Sequence, residues 1–131
     1  MSHIHADRRP SSAPDQPLDL AAAGDSLMDE ARAMSSGRAA KSLTPGAHEP
    51  LTQTLVALRA GVHVGADRLN GPATIYLLRG TATIDSDDET IALASGQWAA
   101  IPRLGSDLRA GEDAVALITV APTAGSSDVS G

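Results

Sequence analysis

Cysteine and aromatic residues are the first things that this chain of 131 residues lacks. It has no cysteine and no phenylalanine, and Tyr76 and Trp98 stand alone as its tyrosine and tryptophan. Without cysteine neither a disulfide nor a thiolate metal site can form, which is typical of a reducing compartment. So few aromatic rings leave no stacking platform for single-stranded bases. The core must therefore consist of Val, Ile, Leu and Ala.

Long hydrophobic runs and positive charge are scarce as well. No stretch approaches the roughly 20 apolar residues that a membrane-spanning helix needs, and residues 1–10 lack the apolar centre of a secretory signal. The formal net charge is −6, so the averaged field repels phosphate backbones. We therefore expect a cytoplasmic protein that binds neither nucleic acid nor membranes.

The two ends of the chain differ in composition from its middle. Residues 1–17 hold three prolines and almost no apolar side chain, which predicts a disordered arm. Residues 123–131 are rich in Ser, Gly and Asp and are predicted to form a disordered tail. His3 and His5 form an H-x-H pair, which in such an arm is more often incidental than a metal site.

The segment 18–37 carries apolar residues at helical spacing and ends on a glycine, Gly37. We expect one or two short helices here, broken near Gly24. Asp25 or Ser26 is the expected N-cap. The apolar face is more typical of packing against the rest of the domain than of binding a partner.

After this segment every stretch has the length and punctuation of a strand. Nine strands are predicted, at residues 38–44, 52–59, 62–68, 73–79, 81–85, 90–94, 98–102, 107–110 and 114–121. No helix separates them, which argues against a parallel sheet and favours an antiparallel sandwich or jelly roll.

Glycine and proline in this strand-rich region stand where two known sequence motifs place them. The first motif runs from a glycine through a His-x-His pair and a glutamate to a second glycine, and Gly61 and Gly80 match its ends. The second runs from a glycine to a proline and a histidine, and Gly96 and Pro102 match it. Over residues 38–122 the chain therefore resembles the cupin superfamily, which implies a small antiparallel β-barrel or jelly roll. The glycines would lie at strand junctions that need a positive φ.

The metal ligands of that superfamily are replaced in this chain. The two histidine positions of the first motif fall on Asp67 and Leu69, and its glutamate position falls on Ala73. The histidine of the second motif falls on Ser106 or Asp107, an alternative that the sequence leaves open. Three imidazoles and one carboxylate, a set suited to Fe, Mn, Ni or Zn, are reduced to at most two carboxylates. We expect no metal and no other cofactor.

The resemblance also predicts a pocket, because cupins point their ligand positions inward. Asp67 would then face the interior, and alternation along the strand would place His63 on the same face. Gln53 and Tyr76 are expected to reach the same cavity, although a surface position suits either side chain. The predicted pocket residues are Gln53, His63, Asp67, Tyr76, Ser106 and Asp107.

Three functions stay open. The preferred one is a metal-free protein that binds a small, largely apolar molecule or serves as a dimeric structural module. The second is a metal-independent isomerase, cyclase or lyase in which Asp67 and His63 transfer protons. The third, a divalent-metal enzyme, requires ligands that the sequence does not supply. Since small cupins commonly pair through an edge strand, a homodimer through residues 38–44 or 52–59 is expected.

Overall fold

The computed structural model describes residues 16–44, 50–65, 71–87, 89–102 and 106–121. Within these ranges lie one helix and nine strands. They are α1 (Leu20–Ala33), β1 (Arg38–Ser42), β2 (Thr52–Leu58), β3 (His63–Gly65), β4 (Ala73–Arg79), β5 (Thr81–Asp85), β6 (Thr90–Ala94), β7 (Trp98–Ile101), β8 (Asp107–Ala110) and β9 (Ala114–Val120). Most of the predicted arm, residues 1–15, and the predicted tail, residues 123–131, lie outside the described residues.

Helix α1 begins at Leu20, within the predicted helical segment but six residues before the first expected cap would allow. Asp19 is the N-cap, and its carboxylate accepts hydrogen bonds from two backbone amides of the first turn at 3.0 and 3.2 Å. The prediction of a cap at Asp25 or Ser26 is therefore wrong, since both residues lie inside the helix. No helix in the described part of the chain combines the length and the apolarity needed to cross a membrane.

The predicted break near Gly24 is also wrong, because α1 runs through this residue without interruption. Gly24 is buried where the helix meets the sheet, and a Cβ atom there would come within 3.0 Å of a methyl group of Val115. The glycine therefore allows the helix to approach β9 closely, at the cost in helix propensity that a glycine carries.

The strands form two antiparallel sheets, which confirms the predicted all-β class. The five-stranded sheet has the order β1-β2-β9-β4-β7, and the four-stranded sheet has the order β3-β8-β5-β6. The two sheets are not closed into a continuous barrel, since no strand pairing described for the chain joins one sheet to the other. Strands β1 and β3 are therefore edge strands, and so are β6 and β7.

Four strands, β4, β5, β6 and β8, have the predicted boundaries, and β1, β2, β7 and β9 end one or two residues early. The end of the predicted strand 62–68 lies outside the described residues. The sequence proposed residues 38–44 and 52–59 as alternative edges for a dimer. Strand β2 lies between β1 and β9, so the second alternative is wrong. A strand inside a sheet has both of its hydrogen-bonding edges occupied by neighbouring strands and cannot pair with another chain.

Alternation along the five-stranded sheet divides its side chains between two layers. One face packs under α1 and forms the helix-side layer, made of Leu27, Met28, Ala31, Leu55, Ala57 and Val115. The other face packs on the four-stranded sheet and forms the inter-sheet layer. Its buried members are Leu58, Ala73, Ile75, Leu77, Ala82, Ile84, Leu93, Ile101, Leu108, Ala110, Ala114, Ala116 and Val120.

Tight turns close one end of the sandwich. Gly61, Gly80 and Gly96 have φ angles of 86°, 82° and 85°, which confirms that these junctions need the left-handed conformation. Gly80 is restricted twice, since a Cβ atom there would lie 2.1 Å from the carbonyl oxygen of Asp113. The motif glycines are therefore explained by the backbone alone.

Asp113 connects three parts of the chain at this end. Its carboxylate accepts hydrogen bonds from Nε and Nη2 of Arg32 at 3.2 and 3.0 Å. It also accepts one from the backbone amide of Ala60 at 2.9 Å. The amide of Ala60 and then the guanidinium of Arg32 lower the pKa of the Asp113 carboxyl. The end of α1 is thereby fixed to the turns of the sandwich.

Candidate ligand-binding cleft

A cleft of about 790 Å³ lies between the two sheets, on the side where β1 and β3 are the edge strands. Its walls come from the inner faces of β2 and β9, from the short strand β3, and from β1. The described lining residues are Ser36, Arg38, Ala39, Ala40, Thr54, Val56, Val64, Gly65, Ile118 and Val120. The interior is therefore mainly aliphatic, with a few polar groups towards the side of β1.

A smaller cavity of about 50 Å³ extends the cleft into the core. The two spaces share Val64, Gly65 and Ile118 as lining residues. Ser106 lies on the wall of the inner cavity, and its other neighbours there are aliphatic. A molecule that reached from the cleft into this cavity would meet the Ser106 hydroxyl.

Ser106 is the one buried polar residue among those that the structure describes, with 4% of its surface exposed. Its hydroxyl donates a hydrogen bond to the carbonyl oxygen of Pro102 at 2.5 Å. A hydroxyl that donates in this way keeps lone pairs to accept a hydrogen bond from a ligand. Next to it, Asp107 pairs in register with Gly65 and lies on the outer face of the sheet. Of the two alternatives left by the second motif, Ser106 is therefore the residue that faces the interior.

His63 does not face the interior, and this corrects the sequence prediction. Its side chain is 57% exposed, whereas the next residue, Val64, lines the cleft. The imidazole Nδ1 lies 3.4 Å from both carboxylate oxygens of Asp107, on the same outer face of the four-stranded sheet. The pair is therefore exposed to solvent and separated from the cleft by the sheet itself.

The other residue predicted for proton transfer, Asp67, lies outside the described residues, as does Leu69 of the same motif. No contact between Asp67 and His63 can therefore be described. What the structure does establish is that one member of the predicted pair, His63, is on the wrong face for chemistry inside the cleft.

Gln53 and Tyr76 occupy the outer face of the five-stranded sheet, not the cleft. The side-chain amide of Gln53 donates a hydrogen bond to the hydroxyl of Thr119 at 3.2 Å. Tyr76 lies directly opposite Trp98 in the register of β4 and β7, and the two are 40% and 62% exposed. Of the two positions that the sequence left open for Gln53 and Tyr76, cavity or surface, both residues occupy the surface.

The superfamily's metal site does not fit the residues that the structure describes. The glutamate position falls on Ala73, whose methyl group is buried in the inter-sheet layer, and the inward position of the second motif holds the hydroxyl of Ser106. No group of three or more His, Asp or Glu side chains within the described ranges is arranged to hold an ion. A methyl group and a neutral hydroxyl do not replace the imidazoles that such a metal requires.

Sequence reasoning missed Arg38, which lies at the start of β1 and lines the cleft. The signal that could have found Arg38 is the face of the strand on which it lies. Arg38 is opposite Leu58, and Leu58 belongs to the inter-sheet layer, so the two side chains share the inner face. That face becomes visible only when the pairing of β1 with β2 is known.

Sequence comparison finds no family model that matches this chain and no curated protein similar to it. Comparison with solved structures does find similar folds. A conserved protein of unknown function from Streptococcus pyogenes has 23% identity and a TM-score of 0.61, with 82% of this chain and 87% of that one covered. A cupin 2 conserved barrel domain protein from Salinispora arenicola has 16% identity and a TM-score of 0.59, with 88% and 93% covered.

A salicylate 1,2-dioxygenase from Pseudaminobacter salicylatoxidans has 17% identity and a TM-score of 0.67, with 90% of this chain and only 38% of that one covered. Identities this low establish a shared fold and leave activity open, since one scaffold hosts many functions.

Proposed function

On the premise that this chain has the cupin fold, we propose that it is a metal-free protein that binds a small, largely apolar molecule in the cleft between its sheets. The observation that carries the proposal is the cleft itself, which is lined by aliphatic side chains and leads to the buried hydroxyl of Ser106. Small-molecule sites are typically concave and mostly apolar, with a few placed polar groups.

The energetics favour an apolar occupant. Val56, Val64 and Ile118 are only partly buried although they pack on the inter-sheet layer. A ligand that covers them removes apolar surface from water, which contributes about 25 cal/mol for each Å². Water in the same space would find few hydrogen-bonding partners along these walls. A ligand in the cleft therefore buries apolar surface that the packing of the two sheets leaves exposed.

The test is a variant in which a phenylalanine fills the cleft, compared with a variant that carries the same threonine-to-phenylalanine substitution on the other face of the sheet. Thr54 lines the cleft, and Thr74 lies on the opposite face of the same sheet. We expect the neutral probe N-phenyl-1-naphthylamine to bind the native protein and to lose at least about tenfold in affinity, 1.4 kcal/mol, in Thr54→Phe. Thr74→Phe should bind as the native protein does. Equal affinities in both variants, or no binding to the native protein, would contradict the proposal.

A structural homodimer is the second candidate, and the exposed Trp98 and Tyr76 favour it. Trp98 belongs to β7, an edge strand whose sequence Trp-Ala-Ala-Ile has no charged residue to prevent pairing with another strand. Aromatic residues are also enriched at interfaces. Light scattering with size-exclusion chromatography should give twice the chain mass for the native protein and the single mass for Trp98→Asp. A monomeric native protein would remove this candidate.

The metal-independent enzyme is less well supported, because His63 faces solvent and Ser106 is the polar group at the inner cavity. The cytoplasm is the compartment that we propose, from the absence of cysteine in the sequence.

Metal analysis of protein purified without an affinity tag should give well under one metal ion per chain. Stoichiometric Fe, Mn, Ni or Zn would contradict the metal-free proposal.

A further inference from the structure

We propose that the ligand of this cleft is a small amphipathic carboxylate whose anionic group pairs with Arg38. This inference rests on the proposed binding function and names the chemical class of the ligand. It follows from the position of Arg38, from the charges around it, and from the distribution of polar and apolar groups along the cleft.

Arg38 is the first residue of β1, an edge strand of the five-stranded sheet. Its register partner Leu58 is in the inter-sheet layer, so Arg38 has inner-face parity, and its side chain is exposed where the cleft opens. The backbone before it is fixed, since the amide of Arg59 donates a hydrogen bond to the carbonyl of Gly37 at 2.8 Å. The backbone from which the Arg38 side chain extends is therefore fixed beside the cleft.

The charges along the cleft are of one sign. Arg38 is the charged residue among the described lining residues, and no carboxylate lines the cleft within that set. Arg32 pairs with Asp113 and Arg79 with Asp25. No ion pair described for the chain includes Arg38, Arg59 or Arg109, and of these three Arg38 is the one that lines the cleft. On a protein whose net charge is −6, this cation marks the cleft as a place that attracts an anion.

The guanidinium group selects the type of anion. Its planar arrangement of N–H donors matches the two oxygens of a carboxylate, which gives geometric specificity as well as attraction. Further into the cleft the walls are Val64 and Ile118, and the hydroxyl of Ser106 lies at the inner end. The cleft therefore fits a molecule with a carboxylate at one end, an apolar body, and space for a hydrogen-bond donor at the other.

The test uses two ligands of nearly the same shape and different charge, 1-naphthaleneacetate and 1-naphthaleneacetamide. We expect isothermal titration calorimetry at pH 7 and low salt to show the native protein binding the carboxylate about fivefold more tightly than the amide, the upper range for an exposed ion pair. Arg38→Gln should bind both ligands equally. The preference of the native protein should shrink in about 0.5 M NaCl, where screening is strong.

Arg109→Gln is the matched control, because Arg109 is exposed on β8 opposite His63, away from the cleft. Its substitution changes the net charge by the same amount as Arg38→Gln. It should keep the preference for the carboxylate, and thermal unfolding should confirm that both variants fold. Equal binding of the two ligands to the native protein, or equal loss in both arginine variants, would overturn the role of Arg38 and leave the binding function standing. Failure of the native protein to bind the neutral N-phenyl-1-naphthylamine would instead overturn the binding function itself.

Discussion

The two faces of the five-stranded sheet are covered to very different degrees. Neighbouring residues of the same strand show this best, since Leu55 and Ala57 of β2 are fully buried under α1, whereas Val56 between them lines the cleft. The same contrast holds in β9 for Val115 and Ile118. Over β2 and β9 one face is closed by α1 and the other borders the open cleft, whereas further along the sheet Tyr76 and Trp98 leave the first face exposed as well.

This difference separates two tasks of the chain. The helix-side layer is packed closely enough that a methyl group at Gly24 would lie only 3.0 Å from a methyl group of Val115. Such packing contributes to stability and offers no space to a ligand. The cleft side has incompletely buried side chains, which contribute less to stability and leave room for binding. Substitutions on the helix side should therefore lower mainly the stability, and substitutions on the cleft side should lower mainly the ligand affinity.

The same substitution on each face gives the largest expected difference. Val115→Ala removes two methyl groups from a residue that is 1% exposed, and we expect it to lower the free energy of unfolding by about 2 kcal/mol. Val56→Ala should lower it by less than about 1 kcal/mol, because the valine is only partly buried, and should weaken the binding of N-phenyl-1-naphthylamine. Urea unfolding followed by circular dichroism measures both. Equal losses of stability would show that the faces are packed alike.

Removal of the Asp113 carboxylate, which holds the end of α1 to the sandwich, should lower the free energy of unfolding by less than Val115→Ala does. Asp113→Ala removes the hydrogen bonds from Arg32 and from the amide of Ala60, and we expect a loss of about 1 kcal/mol at pH 7, since solvent screens this partly exposed pair. Asp29→Ala is the control, because Asp29 meets Arg32 only in an exposed contact of 3.7 Å. It should change the free energy of unfolding by less than about 0.5 kcal/mol.

The effect of Asp113 should depend on pH in one direction. Its folded pKa lies below the ordinary value of 3.8, so the carboxylate stabilises the native state at every pH above that ordinary value. This contribution is lost as the pH falls through the folded pKa. The stability difference between the native protein and Asp113→Ala should therefore be constant from pH 7 to about pH 5 and decrease below it. A difference that grows on acidification would contradict the proposed hydrogen bonds.

Much of this fold could be predicted from local signals. Strand lengths and punctuation located all nine strands, and the motif positions identified Gly61, Gly80 and Gly96 as left-handed turns. Gly24 could not be predicted, because a glycine that ends a helix and one that admits a neighbouring strand look the same in the sequence. The distinction depends on Val115, which is distant along the chain. The pairing that places β2 inside a sheet is likewise a tertiary property.

The site was predicted less well, and the reason lies in β3. Val62 and the strand that follows it, His-Val-Gly, have an apolar and a polar set, and the hydrophobic pattern alone would turn the valines inward. The resemblance to a metal-binding frame suggested the reverse, because that frame needs an inward side chain at the ligand positions. With the ligands lost, the ordinary rule applies, and Val64 faces the cleft while His63 faces solvent. Ala73 and Ser106, which stand at two of the ligand positions, do face the interior, so the error lies in the alternation that extended the inward orientation to His63.

The smallest expected effect belongs to His63, and it tests that conclusion directly. His63→Gln changes an exposed contact of 3.4 Å with Asp107, so we expect a change in stability below about 0.5 kcal/mol and a ligand affinity within about twofold of the native value. Ser106→Val, on the inner cavity, should change the affinity for the same probe by more. If His63→Gln abolished binding while Ser106→Val did not, the polar face of β3 would have to be the functional one. The contrast between a closed face and an open cleft would then no longer locate the site.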